Sequence, residues 1–358
     1  MSGISWLFTP LANALVLRYA AHKIRMQYIG WGLCILGLFL ASFATQVWHL
    51  QLFQGVMYGA GWVVYWSPLL VLINEWWVER RGLAYGIWFT ASNGSGLVMP
   101  FIIQHLLDRY GFRITLRLYA FLSILIAGPA TLLLRPRLPV QRHRFPSLHK
   151  TEETKSLIPL LLPTHLWKNT HFHLFTLAIF FQSFVYIVPF LYLPSFASSL
   201  SLPSASGSQL LALSAISTTL GQVVFGSLSD RLHPYILSSI SSLISSITAF
   251  FVQKVTGFAG LAGFAFFWSF FAGSYDVLYA RICAVLTEGD ADSSLILYGF
   301  LSFERGVAVL VEGYIVPSLV KDKIDGFEKY GSLLALCGWC MFGSAICGVG
   351  WFRRGNGG

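Results

Sequence analysis

The sequence predicts an all-α polytopic membrane protein built from two helical bundles, and three observations carry that reading. Of its 358 residues 55% are hydrophobic and only 11% charged, where an ordinary soluble domain has about a quarter charged, and the mean hydropathy is +0.65. Apolar stretches of about twenty residues, the length that crosses a bilayer core, recur along most of the chain. Between them, Arg135 to Lys168 is the longest run that could not sit in hydrocarbon. It holds Arg135, Arg137, Arg142, Arg144, Lys150, Lys155 and Lys168 against Glu152 and Glu153.

Five spans are expected before this run, at about 4 to 21, 27 to 46, 50 to 75, 83 to 106 and 114 to 134. Six follow it, at about 170 to 196, 208 to 228, 234 to 253, 257 to 280, 294 to 319 and 331 to 352. The organisation is thus an N-terminal bundle over 1–134, a basic linker over 135–168 and a C-terminal bundle over 169–358. The first span lacks a basic leader, and Arg18, Lys23 and Arg25 come after it, so it reads as a span with Met1 outside rather than a cleaved signal. Alternating the loops from there puts sixteen Lys and Arg on one side and seven on the other, with Arg305 inside a span. Such an excess marks the cytoplasmic face, which places the linker and Gly358 there. The formal charge of +9 is therefore assigned to membrane orientation and not to nucleic acid. Cys337 and Cys340 have CxxC spacing, but on an apolar helix they read as packing residues.

Several motifs carry a family resemblance. The run Trp76-Trp77-Val78-Glu79-Arg80-Arg81-Gly82-Leu83-Ala84-Tyr85-Gly86-Ile87, followed by Asn93-Gly94-Ser95-Gly96 and Pro100, resembles the fourth-to-fifth helix region of the monocarboxylate-porter-like family of the major facilitator superfamily. Leu107-Asp108-Arg109-Tyr110-Gly111-Phe112-Arg113, with Leu116-Arg117 and with Phe303-Glu304-Arg305-Gly306, is similar to its fungal branch. That family has twelve helices in two halves of six. Set against it, the resemblance implies a chain that begins at the second helix, with Pro10 to Arg18 in that place, and the expectation is either an incomplete gene model or a degenerate transporter. The superfamily's cytoplasmic signature stands as Gly226-Ser227-Leu228-Ser229-Asp230-Arg231, while its earlier copy keeps Arg18 but has Leu17 at the acidic position and Ala20 for a glycine. Asp230, Arg231, Arg18, Arg80 and Arg81 are therefore the expected cytoplasmic gate, since acidic groups are favoured at helix N-termini.

The resemblance implies a secondary-active transporter of a monocarboxylate or other small organic metabolite, working by alternating access around a site near the bilayer midplane. It also implies a monomer in the plasma membrane, without a cofactor. Proton coupling is a further expectation. The alternative is a truncated, non-transporting membrane receptor or vestigial transporter.

Charge at membrane depth is the strongest chemical signal. Glu304 and Arg305 fall near the middle of a span, where a charge costs roughly 2.5–3.5 kcal/mol. At about 100° per residue, Arg305, Glu312 and Ser302 share a stripe and Glu304 points about a quarter-turn away. Arg305 is the expected anion-binding residue, because guanidinium pairs bidentately with carboxylates. Glu304, Glu312 and Asp276 are the expected proton-coupling groups, with Glu304 also at the substrate. A permanent interhelical ion pair is the competing reading. Asn93, Tyr65, Gln182 and Tyr186 complete the expected substrate-binding set, with Gln222 as a further donor. Gly55, Gly59 and Gly61 read as helix packing, and Ser238 to Ser246 as a tightly packed helix. There is no HExxH, GxSxG or GxxxxGK[ST], so neither a metalloprotease, a serine hydrolase nor an ATP-driven pump is expected.

Overall fold

The computed structural model describes residues 2–77, 80–137, 167–203, 205–252, 257–287, 290–320 and 327–355. Arg142, Arg144, Lys150 and Lys155 of the expected linker, and Glu79 of the motif, lie outside the described residues. All regular secondary structure among the described residues is helical. The helices are α1 (Ser2–Arg18), α2 (Lys23–Ala41), α3 (Val47–Trp76), α4 (Arg81–Leu133), α5 (Thr170–Val185) and α6 (Val188–Ser199). They continue with α7 (Ala205–Ser229), α8 (Pro234–Phe251), α9 (Gly257–Ala272), α10 (Tyr275–Leu286), α11 (Ala291–Leu319) and α12 (Phe327–Gly355).

Nine helical runs among the described residues are long and apolar enough to cross a bilayer, and the protein is a multi-pass membrane protein. The sequence reading expects eleven, and two runs account for the difference. Helix α1 is described over 17 residues, one fewer than α8, the shortest run counted. The first arm of α4 carries Thr90, Ser92, Asn93 and Ser95, which lower its hydropathy. Helix α4 is continuous except at Gly111, where φ 72 and ψ 172 break it between the spans expected at 83–106 and 114–134. Glycine has no Cβ to oppose that conformation.

The chain forms two compact units. The first comprises the described residues of Met1–Val78, Ile103–Leu166 and Gly289–Gly306, and the second those of Glu79–Ile102, Trp167–Glu288 and Val307–Gly358.

In the first unit α2 packs along α3 through glycines. A Cβ on Gly61 would lie 2.9 Å from both Gly30 O and Cys34 N, so only hydrogen fits where the backbones approach. The same close approach ties α1 to the start of α11. A Cβ on Gly299 would meet Pro10 Cα at 3.0 Å, one on Gly306 would meet Leu7 N at 2.9 Å, and Asn13 Nδ2 donates to Leu295 O at 2.9 Å. Charge is concentrated at the end of α3. Lys23 Nζ pairs with Glu75 Oε1, and the backbone N–H of Arg137 donates to Glu75 Oε2 at 3.2 Å. The Arg137 guanidinium donates to Glu75 O at 3.3 Å and Trp76 O at 3.2 Å, placing a cation on free carbonyls at a helix C-terminus.

In the second unit the interior is an apolar cluster that includes Phe184, Val188, Phe196, Leu261, Leu334 and Met341. Helix α8 buries a serine face against it: Ser238, Ser241, Ser242, Ser245 and Ser246 are each at most 3% exposed. Ser246 Oγ donates to Gly338 O at 2.8 Å, and the Ser242 and Ser344 hydroxyls are 3.0 Å apart. Small side chains let α8 and α12 approach, and each hydroxyl finds a carbonyl or another hydroxyl, as burial requires. Cys337 is fully buried, Cys340 half-buried, and both are free thiols.

Candidate functional site

Two features of the second unit arise from one helix crossing. Helices α4 and α7 meet at glycines. A Cβ on Gly86 would lie 2.7 Å from Gln222 O, and one on Gly226 would lie 2.7 Å from Gly82 O. That approach brings Asp230, just past the end of α7, onto the start of α4. Its carboxylate accepts from Gly82 N at 2.9 Å through Oδ1 and from Leu83 N at 3.0 Å through Oδ2. Two N–H groups that lack intrahelical partners are satisfied by one anion at the positive end of a helix. Arg231, Arg80 and Arg18 are exposed, and Arg18 lies 5.7 Å from the ring of Tyr19. Of the expected gate residues, Asp230 is thus hydrogen-bonded to the start of α4, at Gly82 and Leu83.

One to two turns further along the same crossing is a cavity of about 220 Å³, whose walls include Asn93, Tyr186, Thr218, Gln222, Trp268 and Asp276. Asn93 Nδ2 donates to Phe89 O at 3.1 Å and to Gln222 Oε1 at 2.9 Å. Gln222 Nε2 donates to Gly273 O at 3.2 Å, Thr218 Oγ1 to Ser269 O at 3.3 Å, and Trp268 Nε1 to Tyr186 O at 3.2 Å. These bonds fix the wall across α4, α5, α7 and α9. Three expected residues, Asn93, Tyr186 and Asp276, share this cavity with Gln222. Gln182 is not in its wall: it is 2% exposed and donates to Ala272 O at 3.3 Å, bracing α5 against α9. Thr218 and Trp268 belong to the wall and are absent from the sequence expectation. A threonine or tryptophan inside an apolar span carries no charge anomaly to reveal it.

The remaining expected residues divide between the units. Along α11, Ser302, Arg305 and Glu312 are 0%, 3% and 4% exposed, while Glu304 is half-buried, as their helical spacing requires. Arg305 is in the first unit, its guanidinium 4.7 Å from the centre of the Trp6 ring, a cation on an aromatic face. Glu304 is in the same unit. Glu312 is in the second, within electrostatic reach of Tyr192 and Cys337. Tyr65, in the first unit, has its hydroxyl 3.3 Å from Thr131 Oγ1 and joins α3 to the second arm of α4. Among the described residues no cluster of three or more His, Cys, Asp or Glu side chains could hold a metal.

Comparison with known proteins agrees with this architecture. The family model described as Major Facilitator Superfamily matches residues 1–310. The chain is 25% identical to the MFS-type transporter pynF of Aspergillus niger, over 87% of this chain and 68% of that protein. It is 26% identical to the aspyridones efflux protein apdF of Emericella nidulans, over 72% and 49%. To monocarboxylate transporter 12 of Rattus norvegicus it is 24% identical, over 87% and 68%. The chain therefore spans between about half and two thirds of these relatives. Among solved structures, the E. coli fucose:proton symporter superposes with a TM-score of 0.71 at 14% identity, covering 99% of this chain and 89% of that one. That likeness is one of fold.

Proposed function

From the premise that this chain belongs to the Major Facilitator Superfamily, we propose that it is a secondary-active transporter that moves a small organic metabolite by alternating access. The observation that carries this reading is the cavity whose wall includes Asn93, Thr218, Gln222 and Asp276, a space that sets polar side chains among apolar ones inside a bundle of helices. Polar groups at that depth are costly and mark substrate paths. The Asp230 cap on Gly82 and Leu83 supports the second requirement, a contact that can close one side and release. A lost N-cap costs about 0.5–2 kcal/mol, which is strong enough to bias an equilibrium and weak enough to open in each cycle.

A carboxylate substrate is supported by Arg305 and by the name of the rat relative, and proton coupling by Glu304 and Glu312. The excess of basic residues on one set of loops supports a cytoplasmic linker and C-terminus, and we place the protein in the plasma membrane as a monomer. The test is uptake of radiolabelled benzoate and benzylamine into proteoliposomes holding the purified chain, across a range of internal and external pH. Saturable flux of either probe is expected. For the carboxylate arm, Arg305→Ala should abolish benzoate flux. For the coupling arm, Glu304→Gln and Glu312→Gln should flatten its pH dependence. Absence of flux for both probes in a well-folded preparation would favour the non-transporting alternative.

A further inference from the structure

Two spans of the second unit are interrupted in the same way, and we infer that their two breaks form one coupled hinge. The spans are Thr170–Ser199, made of α5 and α6, and Gly257–Leu286, made of α9 and α10, each of 30 residues. Each breaks after a helix of 16 residues. The first break, at Tyr186 and Ile187, precedes Pro189 in the first turn of α6, whose missing N–H cannot serve Val185 O. The second falls at Gly273 and Ser274, a glycine–serine pair of the kind that kinks helices.

Hydrocarbon holds no water to satisfy backbone at such a break, so neighbouring helices must. Here each span does so for the other. Gln182, four residues before Tyr186, donates through Nε2 to Ala272 O at 3.3 Å. Trp268, four residues before Ala272, donates through Nε1 to Tyr186 O at 3.2 Å. Both donors are buried. Thr218, Gln222 and Ser241 fasten Ser269 O, Gly273 O and Phe271 O to α7 and α8, whereas the reciprocal pair joins one break to the other. Bending at either break moves the donor that the other needs, so the two open and close together as a single two-state element. Tyr186 and Ile187 from one break and Ser269 and Gly273 from the other also line the cavity, so a molecule seated there meets both at once. Coupling of the breaks goes beyond the transport function above and stands without it.

The test is hydrogen exchange on the purified full chain in detergent. The first break is read at the Tyr186 and Leu191 amides, which donate to Gln182 O and Ile187 O, and the second at Gly273 and Val277, which donate to Ser269 O and Ser274 O. Trp268→Phe keeps an aromatic ring and removes the N–H; Gln182→Met keeps the length of the side chain and removes the amide. Each is expected to accelerate exchange at both breaks by at least about threefold, the worth of one interhelical hydrogen bond in a membrane, and to leave the amides of α8 unchanged. In the double variant the acceleration should fall short of the product of the two singles, because the first loss already frees both breaks. Gln182→Met alone carries the test if Trp268→Phe misfolds, through its effect at both pairs of amides. Acceleration confined to one break, rates that multiply in the double variant, equal acceleration in α8, or no acceleration would each overturn the coupling.

Discussion

The two units differ in the charge they bury. In the first, Lys23 pairs with Glu75 and Arg305 lies on Trp6, beside uncharged groups such as Asn13 and Thr131. In the second, uncharged groups do most of this work, through the Asn93 and Gln222 amides and the serines of α8. A charge pair in a low dielectric is fixed by its partner, since separating it strands an ion. An amide or hydroxyl can satisfy one helix and still offer a lone pair. The contrast teaches that binding capacity resides where polar valence is left over, and rigidity where it is cancelled.

The largest expected effect breaks the first pattern. Glu75→Ala leaves Lys23 buried beside no carboxylate and should cost about 3–5 kcal/mol, read as a drop in thermal midpoint of the detergent-solubilised protein. Lys23→Met combined with Glu75→Leu should recover most of that loss, because an apolar pair of similar volume has no ions to desolvate. No recovery would mean that Arg137 contributes as much as the pair does.

Next in size is the glycine crossing of the second unit. Gly86→Ala sets a methyl against Gln222 O, where the contact is 2.7 Å. Backbone cannot yield as a side chain does, so overpacking should cost about 1–3 kcal/mol and weaken the cap along with it. Asp230→Ala then tests the cap alone, at about 0.5–2 kcal/mol. The sharp readout is hydrogen exchange at the Gly82 and Leu83 amides, which should accelerate while the amides of α8 do not. Uniform acceleration would make Asp230 a general stabiliser rather than a local latch. Smallest is Ser242→Ala, at about 0.6 kcal/mol, the usual worth of an interhelical hydrogen bond in a membrane.

How much of this was legible in the sequence depended on whether the signal was local. The break in α4 was legible, because Tyr110-Gly111 interrupts an apolar run and the structure bends there. The buried stripe of Ser302, Arg305 and Glu312 followed from helical spacing alone. Asn93 was legible as a polar residue at depth, but its partner Gln222 is 129 residues away, and spacing along one helix cannot show what a second presents. For the same reason spacing along one helix could not show that Gln182 donates to Ala272 O. Lys23 read only as a topology charge, because it sits beside Arg25, and its partner Glu75 is 52 residues away.

That last residue has a history as well as a place. Basic residues beside a span bias which of its ends stays behind as helices enter the bilayer, and Lys23 carries such a charge. After folding it is 8% exposed and joined to Glu75, so an anionic leaflet, which attracts each free surface lysine by about 1 kcal/mol, has little hold on it. The same ammonium group serves biogenesis first and architecture afterwards. A neutral replacement would therefore be felt twice: in the fraction of chains that insert the right way round, and in the stability of those that do.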